Sequence, residues 1–242
     1  MEYSVFREDF LRIFEKNGLI AYADESAIRK FYDLTDLMLE TNRVMNITAL
    51  TTTDKIIPLH YADCVKAAEW IPQNATVADI GCGGGFPVLP LAIVRPDLRI
   101  TGIDSTEKKI RYVQSTAEKL GLQVMAISGR AEELAKNPEH RDSYDCVISR
   151  AVARLNILNE LCLPYVKVGG RLIALKGAAG EAEYLEAKNG IFKMGGELES
   201  LISYKLHMNK EEEQRYSVII RKNSPTPKEY PRTFGNIKKK PL

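Results

Sequence analysis

Apolar residues at Val5, Phe6, Phe10, Ile13 and Phe14 recur at the three- and four-residue steps of one helix face, and Gly18 stops the pattern. A second helix is expected from Asp24 as N-cap to about Thr41, with Ile28, Phe31, Tyr32, Leu34, Leu37 and Met38 facing inward. An Asn-rich loop follows over 42–48, then a third helix over Ile57–Trp70. Everything up to the turn at Pro72-Gln73-Asn74 therefore reads as helical.

From Thr76 the pattern changes. Short apolar runs at Thr76–Ile80, Arg99–Asp104, Gln123–Ser128, Asp145–Ser149 and Arg171–Lys176 predict five strands. Helices are expected between them at Pro87–Val94, Glu107–Leu120, Arg130–Lys136 and Leu155–Tyr165. Strand–helix alternation at this spacing predicts an α/β fold, a Rossmann-like, doubly wound and mostly parallel sheet. Glu197–Leu206 and Tyr216–Arg221, joined by the polar stretch 209–215, predict an antiparallel hairpin at the sheet edge. The organisation expected is a helical extension (1–72), an α/β domain (73–222) and a basic tail (223–242).

Composition adds limits rather than direction. With 242 residues, 45% hydrophobic and 27% charged, the chain can bury an ordinary globular core. Its longest apolar runs, such as Val88–Val94, are far shorter than the ~20 residues of a membrane span. Met1-Glu2-Tyr3-Ser4 is not a basic region leading into an apolar one, so no secretory signal is expected. Cys64, Cys82, Cys146 and Cys162 form no Cys-x-x-Cys pair and read as reduced cytoplasmic thiols; no metal is expected. The net charge of +2 hides an uneven distribution. Arg221, Lys222, Lys228, Arg232, Lys238, Lys239 and Lys240 face a single acid, Glu229, in the last 22 residues. Such a tail contacts phosphates or is a solvated end.

The strongest chemical signal is Gly81-Cys82-Gly83-Gly84-Gly85-Phe86 after the first strand. Glycines there allow a tight turn and close approach of a ligand to the backbone. A dinucleotide site needs Gly-x-Gly-x-x-Gly, but the third position is Phe86 counted from Gly81 and Val88 counted from Gly83. A nicotinamide oxidoreductase is thereby disfavoured. Gly-x-Gly-x-Gly with Asp79 before it is the pattern of S-adenosylmethionine-dependent methyltransferases. Asp104, at the end of the second strand, is placed to accept from ribose hydroxyls, or to cap the helix near Glu107. Glu132 is an adenine-side residue or a first-turn acid facing the helix dipole.

Taken in order, Asn46-Ile47-Thr48, His60-Tyr61-Ala62-Asp63, Asp79–Pro87, Asp104-Ser105, Arg130-Ala131-Glu132, Ser149–Ala153 and Lys176-Gly177 are more specific than any one motif. Over nearly its whole length the chain resembles the bacterial 16S ribosomal RNA guanine-N7 methyltransferase G family, also called glucose-inhibited division protein B. The resemblance implies methyl transfer from S-adenosylmethionine to a guanine N7 of small-subunit RNA. The implied partner is that RNA, the small subunit or an assembly intermediate, and a monomer is expected. It also implies cofactor contacts at Gly81, Phe86, Ala131, Glu132 and Arg150. Cys64, Val88 and Lys109 depart from the family's usual serine, glycine and arginine; none is a cofactor-contact position.

Guanine N7 is already a lone-pair nucleophile with no proton to lose, so alignment and water exclusion matter more than a general base. Arg150 is expected to shape the cofactor pocket and orient the base, or to form a structural salt bridge. His60 either contacts RNA or packs a helix. Lys176, Arg232, Lys238, Lys239 and Lys240 are the candidate RNA contacts, with an exposed strand end or free tail as the alternative. Methyl transfer to another RNA, a protein or a small molecule also fits these residues, as does RNA binding without catalysis.

Overall fold

A computed structural model describes residues 2–242. Helix α1 (Tyr3–Lys16) buries Phe6, Phe10, Ile13 and Phe14. Its chain turns at Gly18, which is left-handed at φ 69° and lets the Leu19 amide return to Phe14 O at 2.8 Å. Helix α2 (Glu25–Asn42) starts where the Asp24 carboxylate accepts from the Ala27 amide at 2.8 Å. Ile28, Phe31, Leu34 and Met38 form its buried face, while Tyr32 and Leu37 stay half-buried.

The third expected helix is longer and less regular. It begins as α3 (Thr53–Ile56), passes through a π-helical turn (Ile57–Ala62), continues as α4 (Asp63–Val65) and ends in a 3-10 turn (Lys66–Trp70). In the π turn the Asp63 amide bonds Pro58 O, five residues back. Such turns re-aim side chains and are common at functional sites.

The sheet has seven strands: β1 (Thr76–Ile80), β2 (Arg99–Asp104), β3 (Val124–Ser128), β4 (Tyr144–Arg150), β5 (Val166–Lys176), β6 (Gly196–His207) and β7 (Glu212–Lys222). Their order is β3-β2-β1-β4-β5-β7-β6. The first five are parallel, and β7 lies antiparallel between β5 and β6. Helices α5 (Val88–Val94), α6 (Glu107–Lys119), α7 (Ala131–Leu134), α8 (Leu155–Cys162) and α9 (Gly180–Lys193) connect them. The central parallel strands β1 and β4 are buried on both faces, as covering helices require, while the edge strand β3 is largely uncovered. In β1, Val77 joins the cluster formed with α1, α2, α5 and α6, whereas Ala78 and Ile80 join the opposite one with α8 and α9. The N-terminal helices thus share one continuous core with the sheet.

Three further features differ from the sequence expectation. Helix α9 has no counterpart there, because its buried face is mostly small: Gly180, Ala187 and Gly190 are buried beside one large residue, Ile191, while Leu185 and Phe192 are exposed. An apolar stripe read by hydrophobicity misses such a face. Strand β7 begins inside the polar stretch expected to be a connection. Its polar end is paired from His207↔Glu212 onward and tied by ion pairs of Glu212 with Lys205 and of Arg215 with Glu213. The tail is bound to the domain and carries helix α10 (Phe234–Lys239). The Arg141 guanidinium donates to Tyr230 O at 2.9 Å and Thr226 O at 2.8 Å, and Ile237 is fully buried.

Candidate functional site

One cavity of about 410 Å³ opens at the carboxyl ends of β1 to β4, where a doubly wound sheet takes its ligand. Gly81, Phe86, Asp104, Ala131, Glu132 and Arg150 all line it. Ile47, His60, Lys109, Arg130, Val152 and Phe234 line it too. Three of these come from outside the α/β motifs: Ile47 from the Asn-rich loop, His60 from the π turn and Phe234 from the tail.

The glycine loop forms the floor. Gly81 has φ 76°, and a Cβ on it would meet Val152 Cγ2 at 2.3 Å, so both backbone geometry and space demand glycine. Asp104 holds the loop: Oδ2 accepts from the Gly83 amide at 3.0 Å, and Oδ1 accepts from the Thr106 amide at 2.8 Å at the start of α6. Each oxygen keeps a lone pair for a ligand. Asp104 is not the cap of α6, whose N-cap is Thr106 with no side-chain cap bond; its carboxylate instead braces the turn ahead of the helix and lines the cavity.

Glu132 is buried at the first turn of α7, with Arg130 Nε 3.0 Å away. The Arg130 guanidinium also lies 4.9 Å from the Phe234 ring centre, which ties the tail to the pocket rim. The Ala131 carbonyl accepts from Tyr165 OH at 2.7 Å, fixing the turn that carries both residues. Beneath the loop, Asp79 is fully buried. Burial pushes its carboxyl up to about 8, against the nearby Val88 amide and Arg150.

Arg150 ends β4 and turns towards the π turn. Its Nη1 donates to Leu59 O at 2.7 Å and to Asp63 Oδ2 at 3.2 Å, and its Nη2 donates to His60 Nδ1 at 3.1 Å. The guanidinium has no lone pair with which to accept, so His60 Nδ1 must be the acceptor and the ring's hydrogen sits on Nε2. That Nε2 donates to Thr48 Oγ1 at 2.7 Å. Thr48 Oγ1 also receives the Leu50 amide at 3.0 Å. The His60 ring stacks on Phe86 with centres 4.3 Å apart and planes 9° from parallel. Burial, helped by Arg150, lowers the His60 pKa to about 3, so the ring is neutral at physiological pH. Helix packing and the pocket wall are one role for this residue.

Asp63 is shared. Its Oδ1 lies 3.5 Å from Arg215 Nε and accepts from Tyr204 OH at 3.3 Å. A second cavity of about 360 Å³ lies beside this cluster and shares Arg150, Ala151 and Val152 with the first. Ala151 is left-handed, at φ 57°, an uncommon conformation for a residue with a Cβ and typical of functional turns.

The expected RNA contacts divide. Lys176 points inward: Nζ donates to Ala153 O at 2.6 Å and pairs with Glu183 at 2.8 Å, leaving the side chain 8% exposed. Arg232 forms a forked pair with fully buried Glu160, its Nη2 2.6 Å from Oε2. These two cations are committed inside the molecule. Lys238, Lys239 and Lys240 remain exposed on α10 and just beyond it.

Residues 27–214 match the family described as rRNA small subunit methyltransferase G. A ribosomal RNA small subunit methyltransferase G from Clostridium novyi is 41% identical over 97% of this chain and 96% of its own. The protein of that name from Halalkalibacterium halodurans is 40% identical over the full length of both. Among solved structures, M. jannaschii TYW2 in complex with AdoMet superposes with a TM-score of 0.54 over 67% of this chain and 76% of that one. At 16% identity that likeness speaks to fold alone.

Proposed function

Because the chain belongs to the ribosomal RNA small subunit methyltransferase G family, we propose that it transfers a methyl group from S-adenosylmethionine to N7 of a guanine in small-subunit (16S) ribosomal RNA. The observation that carries the chemistry is the state of His60. It is the pocket residue best suited by type to general-base work, yet its one ring lone pair, on Nδ1, is taken up by Arg150, and a pKa lowered to about 3 leaves it too weak a base to draw off a proton. A nucleophile that carries no proton needs no such base. The reading also fits a cytoplasmic, monomeric enzyme.

The pocket fits the methyl donor. A cavity of about 410 Å³ is of the size that encloses small cofactors. The glycine loop leaves room for a ligand against its backbone, and Asp104 retains acceptor capacity for ribose hydroxyls. Glu132 and the Phe234 ring stand on the side where an adenine is expected. When bound, the sulfonium cofactor supplies an activated methyl group, so the protein's own residues act by placement. Phe86 and His60 form a stacked wall, and Arg150 fixes that wall through His60. The second cavity, across Arg150–Val152, offers an approach for the acceptor base. Such a base leaves its stack to reach the methyl.

The test is label transfer from methyl-tritiated cofactor to purified small-subunit RNA, small subunits, other RNA, protein and small molecules. Mapping of N7-methylguanine with and without the protein follows. Label in RNA at guanine N7 is the expected result. Label confined to a protein or small molecule, with none in RNA, overturns the reading.

A further inference from the structure

We propose that the groove between the C-terminal end of α2 and one face of α6 is the track along which the substrate RNA's phosphate backbone approaches the cofactor pocket. This rests on the RNA-methylation reading above. The groove encloses about 720 Å³ and is lined from one side by Arg43, Val44 and Met45, from the other by Lys108, Arg111 and Lys119.

Its charge is one-sided and largely uncommitted. Arg43, Lys108 and Lys119 are exposed, and no ion pair engages them among the described residues. Arg111 meets only Glu107, at 3.4 Å, in an exposed pair of little strength. Glu40 is the single acid lining the groove. Lys176 and Arg232 differ, because both are already bound inside the protein.

The cations are also in line. Lys108, Arg111, Ser115 and Lys119 recur at three- and four-residue steps, so they share one face of α6 over ~16 Å of helix. Ser115 and Thr41 set hydroxyls among them. Arginine, lysine and hydroxyl groups together are the usual partners of phosphate and sugar, and they carry no base preference.

The groove leads to the chemistry. Lys108 lines the groove and Lys109 the cofactor pocket; Met45 lines the groove and Ile47 the pocket. The intervening turn is held in one shape by Asn42, whose Oδ1 accepts from the Ile47 amide at 2.8 Å and the Thr48 amide at 3.0 Å. Thr48 then meets His60, which meets Arg150. A strand bound in the groove therefore abuts a loop tied to the pocket wall.

The test compares two triple variants with wild type: Arg43→Ala with Lys108→Ala and Lys119→Ala in the groove, and Lys238→Ala with Lys239→Ala and Lys240→Ala on the tail. The probe is purified small-subunit ribosomal RNA, with binding followed across a salt series. Three lost contacts to single-stranded phosphate lower the slope of log K against log salt by about 2, and weaken binding about 100-fold near ~0.1 M salt. The groove variant is expected to show that loss, with KM for RNA raised, kcat at saturating RNA retained and cofactor affinity by calorimetry unchanged. The tail variant is expected to show a smaller loss. The proposal is overturned if the groove variant keeps the wild-type slope and affinity, or if the tail variant loses as much. Weakened methylation of assembled subunits with unchanged binding of naked RNA also overturns it, pointing to a protein contact. In each of these cases wild type still methylates RNA, and the functional reading stands. A wild type that neither binds nor methylates RNA overturns both.

Discussion

His60 should make the native state acid-sensitive in a calculable way. The ring is buried, accepts at Nδ1 from Arg150 and donates at Nε2 to Thr48, so a second ring proton would break the Arg150 bond and bury a charge. Its pKa falls from 6.5 to about 3 on folding. A group with a depressed folded pKa contributes stability above its unfolded pKa and loses it as pH falls. One pKa unit is worth about 1.4 kcal/mol, so lowering the pH from about 7.5 to about 5 should remove about 2 kcal/mol. Wild type alone hides this. Asp79 shifts the other way, from 3.8 to about 8, and opposes folding increasingly as pH rises through the same window. The informative quantity is therefore the difference between wild type and His60→Gln, which cannot titrate but leaves Asp79 in place. Urea unfolding of both, followed by circular dichroism across that range, gives it. Wild type should lose about 2 kcal/mol relative to the variant on the acid side. Parallel profiles would refute the argument, as would a His60 ring signal in NMR that titrates near the free value.

Four other outcomes follow from the site. Arg150→Lys cannot reach Leu59 O, Asp63 and His60 together; losing charge-assisted bonds of about 1.5–3 kcal/mol should lower kcat/KM roughly 10- to 100-fold in a methyl-transfer assay, with native circular dichroism. Gly81→Ala places a methyl against Val152 and forces φ 76° on a residue that resists it, costing about 1–2 kcal/mol of stability and most cofactor binding by calorimetry. Asp104→Asn can still accept at one oxygen but not both, so the Gly83 or Thr106 bond is lost; cofactor Kd should rise about tenfold or more, and an unchanged Kd would remove Asp104 from the site. Asp79→Asn keeps shape without the titration, so its stability relative to wild type should grow as pH rises from about 4 to about 8.

Much of the fold was legible because most elements bury a face that hydrophobicity reports. Phe6, Phe10, Ile13 and Phe14 on α1 announced a helix, and the runs at Thr76–Ile80 and Arg99–Asp104 announced parallel strands. Helix α9 was invisible because its buried face is mostly glycine and alanine. The polar end of β7 was invisible because pairing and ion pairs hold it rather than burial. In the site, backbone demands travelled well: the glycines and Asp104 follow from local geometry that the sequence order preserves. What did not travel is the direction of charged side chains. Arg150, Lys176 and Arg232 are long enough to point outward or inward, and their partners, Asp63, Glu183 and Glu160, stand 87, 7 and 72 residues away.

The tail shows why that direction matters for function. Counted along the sequence, its cations suggest an RNA-binding arm. In three dimensions Arg232 neutralises Glu160, which is fully buried, and Arg130 stacks on Phe234, which lines the cofactor pocket. That pair holds the tail against α8, with the Arg232 side chain itself 23% exposed. Deleting 225–242 would therefore strip a pocket wall and strand Glu160 at the same time as it removed Lys238, Lys239 and Lys240. A loss of RNA affinity after such a deletion would not distinguish phosphate contact from a damaged cofactor site. Surface lysine substitutions make that distinction, since they change charge and leave the Arg232–Glu160 pair and Phe234 in place.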